Sequence, residues 1–70
     1  MIMEIGIIAG DIWHFLEKQK GERAKVKDII SGTKRSEELI LMSLGWLARE
    51  GHVFISCDED GFVASLIKED

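Results

Sequence analysis

The sequence predicts an α+β fold, three helices closed by a C-terminal β-hairpin. Three observations carry this. Residues 36–51 read as a capped helix that is apolar around most of its circumference. Two earlier stretches, 6–19 and 26–30, also repeat their apolar residues at helical spacing. After Gly51 the repeat falls to two, and an acidic stretch ending in Gly61 splits it into two strands.

The first helix is expected from Gly6 to about Gln19. Ile5, Ile8, Ile12 and Leu16 share a face, with Ala9, Trp13 and Phe15 beside it. Asp11, His14, Glu17 and Lys18 lie opposite. Gly6 is read as the N-cap, and Ile7 falls on the polar side. Gly21 ends the helix. Glu22 to Lys25 is polar, and as an extended stretch it would pair with a later strand. Val26 to Ile30 is a short helix with Val26, Ile29 and Ile30 facing inward. Ser31 to Arg35 reads as a turn.

The long helix has clear ends. Ser36 can cap it, and Glu37 and Glu38 place negative charge at the positive end of its dipole. Leu39 stands where a capping box needs Glu or Gln, so the cap is a plain one. Gly51 supplies a left-handed stop. Leu39, Ile40, Leu44, Trp46 and Leu47 form one broad face, which Leu41, Met42 and Ala48 widen. The polar window is only Glu38, Gly45 and Arg49. A surface helix needs about a 100° apolar stripe, and this one exceeds it. His52 to Cys57 and Phe62 to Ile67 are the strands, with Asp58 to Gly61 as their loop. Val53 and Ile55 point to one face and Phe54 to the other. Lys68 to Asp70 form a polar tail. A short helix, a glycine-containing turn and a longer helix make a helix-turn-helix, and the hairpin makes it a winged one.

Seventy residues without proline, repeat or linker are expected to form a single domain, 1–70. A core this small is marginal alone and often leans on association. The one cysteine, Cys57, excludes an internal disulfide and suits a reducing compartment. No apolar run is long enough to span a membrane. The apolar start, Met1 to Ile5, is interrupted by Glu4 and has no basic segment before it, unlike a signal peptide. The expected location is the cytoplasm.

The net charge is −4. Residues 18–35 hold seven of nine basic residues and two acids, giving +5, and the remainder holds two basic residues and eleven acids, giving −9. The acidic total disfavours nucleic acid, while the basic middle leaves it open.

L-G-W-L-A-R-E-G at Leu44 to Gly51, I-G-x-x-A-G-x-I-W at Ile5 to Trp13, and the V-x-S-L-like end of the hairpin resemble one family. It is a small prokaryotic winged helix-turn-helix family of unknown function, and the resemblance covers almost the whole chain. It implies the fold, with Trp13, Leu44, Trp46 and Leu47 at structural positions. It also implies polar residues where this chain has Ile7 and Ile8, and a glycine and an apolar residue at Lys34 and Arg35. DNA binding follows only by analogy, because fold does not fix function.

Two functions are weighed. For duplex DNA, Lys25, Lys27, Lys34 and Arg35 are the candidate phosphate contacts. Against it, the long helix begins Ser36-Glu37-Glu38 and carries no Asn, Gln or early Arg to read bases. The Asp58-Glu59-Asp60 wing tip is acidic as well. For protein interaction, Ile7, Leu41, Met42, Gly45 and Phe54 are the candidate interface residues, as apolar surface beyond what the fold must bury. Gly45, a costly residue in mid-helix, either admits another backbone or an indole such as Trp13, or is simply tolerated on the polar face.

The favoured reading is a non-enzymatic protein-interaction module, a homodimer or a dock for another protein, in a transcription-related setting. The alternative is a DNA-binding transcriptional regulator. No cofactor is expected. His14, His52 and Cys57 fit no zinc spacing, and the wing-tip acids lack the EF-hand pattern. No nucleophile motif or phosphate-cradling glycine loop occurs.

Overall fold

The computed structural model describes residues 2–67. The element order is α1 (Ile2–Glu17), a single 3-10 turn (Lys20–Glu22), β1 (Arg23–Lys25), α2 (Val26–Thr33), α3 (Glu37–Arg49), β2 (Val53–Asp58) and β3 (Gly61–Leu66). This is the expected α+β, winged helix-turn-helix architecture. The polar tail read at Lys68 to Asp70 lies outside the described residues.

The sheet is antiparallel with strand order β1-β3-β2. The stretch expected to be extended before α2 does pair with a later strand. Arg23, Ala24 and Lys25 face Ser65, Ala64 and Val63 of β3. On the other side of β3, Val53 faces Leu66, Ile55 faces Ala64 and Asp58 faces Gly61. Val53 and Ala64 are buried, whereas Phe54 lies on the opposite, outward face. β2 starts one residue later than expected, because His52 belongs to the stop of α3. The wing's connection is also shorter than the expected four-residue loop. Asp58 and Gly61 are already paired, so only Glu59 and Asp60 form the turn. Asp58 accepts from the Asp60 amide at 2.8 Å, and Gly61 takes φ 119°, where a side chain would be strained.

The core joins α1, α2, α3 and the inner sheet face. Ile8, Ile12, Leu16, Ile29, Ile40, Leu44, Val53 and Ala64 are almost fully enclosed. Ile8 is thus a core residue, and only Ile7 of that pair adds apolar surface. Ser43 is equally enclosed, and its hydroxyl has no hydrogen-bond partner among the described residues. Trp46 does not belong to the inward face where the sequence placed it and is half exposed. The two residues exchange roles because Ser43 lies on the line between Leu39, Ile40 and Leu47, while Trp46 stands at the margin of that arc.

The helix ends follow local chemistry. α1 begins at Ile2, so Gly6 lies inside it and caps nothing. The apolar repeat extends upstream of Gly6, and one exposed glycine does not outweigh it. α2 runs to Thr33, beyond the expected Ile30. Gly32 is therefore helical rather than part of a turn. Its bare Cα lets the Phe15 ring of α1 approach, and an added Cβ would sit 2.9 Å from Phe15 Cζ. The stop falls on Lys34, in the left-handed region at φ 58°, with its amide donating to Ile30 at 3.0 Å. This geometry gives a reason for the glycine that the family resemblance implies at that position. Ser36 caps α3 as expected, accepting from the Leu39 amide at 3.3 Å. Past Arg49 the Gly51 amide donates to Ala48 and the His52 amide to Leu47, with Gly51 at φ 78°. These paired contacts make a Schellman stop.

Candidate functional site

α3 presents to solvent the surface that a winged helix offers its partner. The residues on that face are Glu38, Leu41, Met42, Gly45, Trp46 and Arg49, all exposed. Leu41, Met42 and Trp46 expose 45%, 46% and 50% of their surface, a large fraction for apolar side chains. No Asn or Gln lies on α3, and its first turn carries Glu37 and Glu38. Apolar side chains and an acidic first turn offer few of the donors that read base edges, and the carboxylates would face the phosphates with like charge. The apolar side chains suit a dehydrated contact with another apolar surface.

The structure groups three of the five interface candidates. Leu41, Met42 and Gly45 share the α3 face. Ile7 is exposed on α1, and Phe54 is exposed on the outward side of the sheet. Gly45 is not where another part of this chain packs. A Cβ there would meet nothing within 4 Å, so the close approach of Trp13 does not occur. Trp13 instead sets its ring edge-on to His52, with centroids 5.4 Å apart and planes at 81°. Trp46 escaped the sequence reading because an indole at the edge of an apolar arc looks like core. Phe62 was missed for a similar reason. It shares the inner face of β3 with Ala64, but at the wing end it projects past the core. It lines a groove of about 260 Å³ with Val26, Ile30 and Leu41, between the wing and the helices.

The four nucleic-acid candidates are dispersed and partly engaged. Lys25 Nζ donates to Asp60 Oδ2 at 2.7 Å, tying β1 to the wing tip. That hydrogen bond raises the Lys25 pKa and holds the Asp60 carboxyl below its ordinary value, with Lys27 adding to the effect on Asp60. Arg35 donates to Asp11 at 2.8 Å, tying the turn after α2 to α1. Lys27 and Lys34 form no ion pair among the described residues. Half of the basic set is therefore neutralised by the chain's own carboxylates.

Among the described residues, His, Cys, Asp and Glu form no cluster able to hold a metal ion. His14 contacts Glu17 at 3.3 Å in solvent, and Cys57 is exposed and unpaired. No helix among the described residues is long and apolar enough to cross a membrane.

A winged helix-turn-helix whose third helix shows an apolar face defines the class. The chain belongs to the winged helix-turn-helix domain family DUF2582, whose model matches residues 1–66. It is 32% identical over 63 residues to the uncharacterized protein MJ1608 of Methanocaldococcus jannaschii, covering 90% of each chain. Its structure is similar to the solution NMR structure of protein BT2368 from Bacteroides thetaiotaomicron. The TM-score is 0.77 at 26% identity, covering 91% of this chain and 76% of that one.

Proposed function

We propose that this winged helix is a non-enzymatic protein-docking module that uses α3 to bind a protein surface. The observation that carries the reading is the face of Leu41, Met42, Gly45 and Trp46. It stands where a DNA-binding winged helix needs polar, base-reading side chains. The reading treats residues 1–70 as one domain without a cofactor. It places the domain in the cytoplasm, where the exposed thiol of Cys57 stays reduced. A transcription-related setting fits the fold class.

The second reading is duplex DNA binding, favoured by Lys27 and Lys34, whose ammonium groups have no ion-pair partner among the described residues. They would supply phosphate contacts without sequence readout. Fluorescence anisotropy of a labelled random duplex, titrated with the full chain across a salt series, separates the two. Docking predicts no binding even at about 50 mM salt. Binding that weakens steeply as salt rises, and is lost in Lys27→Glu with Lys34→Glu, would overturn it.

A further inference from the structure

The two edges of the sheet differ in how they are closed to other strands. Backbone bonds fall on alternate residues along an antiparallel pair, and the Ile67 amide donates to the His52 carbonyl at 2.9 Å. With β2 and β3 in register from Val53–Leu66 to Asp58–Gly61, the bonds to β3 fall at Phe54, Ser56 and Asp58. The amides and carbonyls of Val53, Ile55 and Cys57 point the other way. Among the described residues no backbone group meets them.

An open edge of this kind invites a further strand, and chains blunt it with short length, Lys or Arg, proline or a bulge. β1 is blunted, with three residues of which two are Arg23 and Lys25. β2 has none of these devices. It is six residues long, pairs with β3 without a bulge, and carries no Lys, Arg or Pro. Val53, Phe54 and Ile55 are strand formers, and Phe54 stands 61% exposed beside the edge.

We propose that the β2 edge takes an extended segment of a partner protein as a fourth strand of the sheet. This surface is separate from the α3 face and does not depend on the docking reading. Main-chain bonds to Val53, Ile55 and Cys57 hold the segment, and side chains on alternate positions select it. It runs antiparallel to β2, as the other pairs of the sheet do. Its charge follows from the wing tip. Asp60 is engaged by Lys25 at 2.7 Å, whereas Asp58 and Glu59 form no ion pair among the described residues. The segment therefore carries a basic residue opposite Asp58. It carries β-branched residues opposite Ile55 and Cys57, and an aromatic ring opposite Phe54. A second copy fits less well, because its β2 laid antiparallel about Ile55 brings Glu50 towards the acidic tip.

NMR of the full chain, labelled with nitrogen-15, tests this with the blocked peptide acetyl-Lys-Val-Thr-Val-Tyr-Val-amide. The peptide sets lysine opposite Asp58 and valines opposite Cys57, Ile55 and Val53. At about 1 mM peptide the expected result is saturable shifts confined to β2 and its rim. The amides of Val53, Ile55 and Cys57 then exchange with solvent about threefold more slowly. Those of Phe54 and Ser56, already bonded to β3, do not change. Cys57→Pro removes one outward donor and abolishes binding. Asp58→Asn keeps the turn contact to the Asp60 amide and weakens binding about threefold, so the test stands even where proline loosens the wing. Absence of shifts at that concentration overturns the proposal. So do shifts at Leu41, Met42 and Trp46 in place of β2, which the α3 docking reading alone would give. Slowed exchange without peptide that grows with the protein's own concentration also overturns it, by making a second copy the occupant.

Discussion

The Phe15 ring fills the space that Gly32 leaves by lacking a side chain. The contact joins α1 to α2 at a point where any Cβ would have to displace the ring. Gly45, also inside a helix, faces open space. The same substitution should therefore act with opposite sign at the two sites. Alanine gains about 1 kcal/mol over glycine in a helix. At position 32 that gain is outweighed by the displacement of the ring, since overpacking costs about 1–3 kcal/mol. Gly32→Ala is expected to destabilise by about 1 kcal/mol. Gly45→Ala is expected to stabilise by up to about 1 kcal/mol. Urea unfolding reads both.

Ser43 offers a second gain. Its hydroxyl is enclosed without a partner among the described residues, so folding strips it of water and returns no hydrogen bond there. Ser43→Ala removes that group and improves helix propensity. The expected change is a stabilisation of about 1 kcal/mol. A loss of stability would show that the hydroxyl bonds to the Leu39 carbonyl one turn earlier.

Lys34 holds the left-handed stop of α2 at φ 58°, where a side chain crowds the backbone. Glycine relieves this at some cost in unfolded-chain entropy. Lys34→Gly is expected to be neutral or stabilising by up to about 1 kcal/mol, and Lys34→Val destabilising. Chemical unfolding of the pair checks the sign.

The contact between Lys25 and Asp60 has a defined pH window. Asp60, held below its ordinary value, contributes stability above that value and loses it as pH falls through the folded pKa. Lys25, raised above its ordinary value, contributes below that value and loses it as pH rises through the folded pKa. The tie is therefore complete from about pH 4 to about pH 10. Both groups are in solvent, so the melting temperature at neutral pH should barely depend on it. Lys25→Met should move the Asp60 titration midpoint upward, read from the carboxyl carbon shift by NMR.

The parts of the fold that were legible in the sequence are those fixed by local chemistry. Ser36 and Gly51 bound α3 by capping contacts that depend only on residues within a turn. The change from helical to alternating spacing marks the wing for the same reason. The errors fell where a residue's setting depends on a distant neighbour. Gly32 looked like a turn because Phe15 is far away in sequence, and Gly45 left a contact open because a glycine in a helix asks for one. The basic cluster at Lys25 to Arg35 looked available because Asp11 and Asp60, which engage two of its members, lie outside it. The candidate interface was legible as residue types but not as a surface. Its grouping on α3 needed Trp46 to turn outward.

The strand order β1-β3-β2 makes the last strand in sequence the central one. β1 and β2 never touch, and each depends on β3 for every bond of its ladder. A nascent chain extended only through Asp58 holds both edge strands but not the strand that joins them, so no part of the sheet can form. Arg23 meets Ser65 only after more than forty residues of chain have been looped back, an entropic cost met before any reward. The sheet should therefore close late in folding and all at once, with residues 61–66 acting as a zip for both edges.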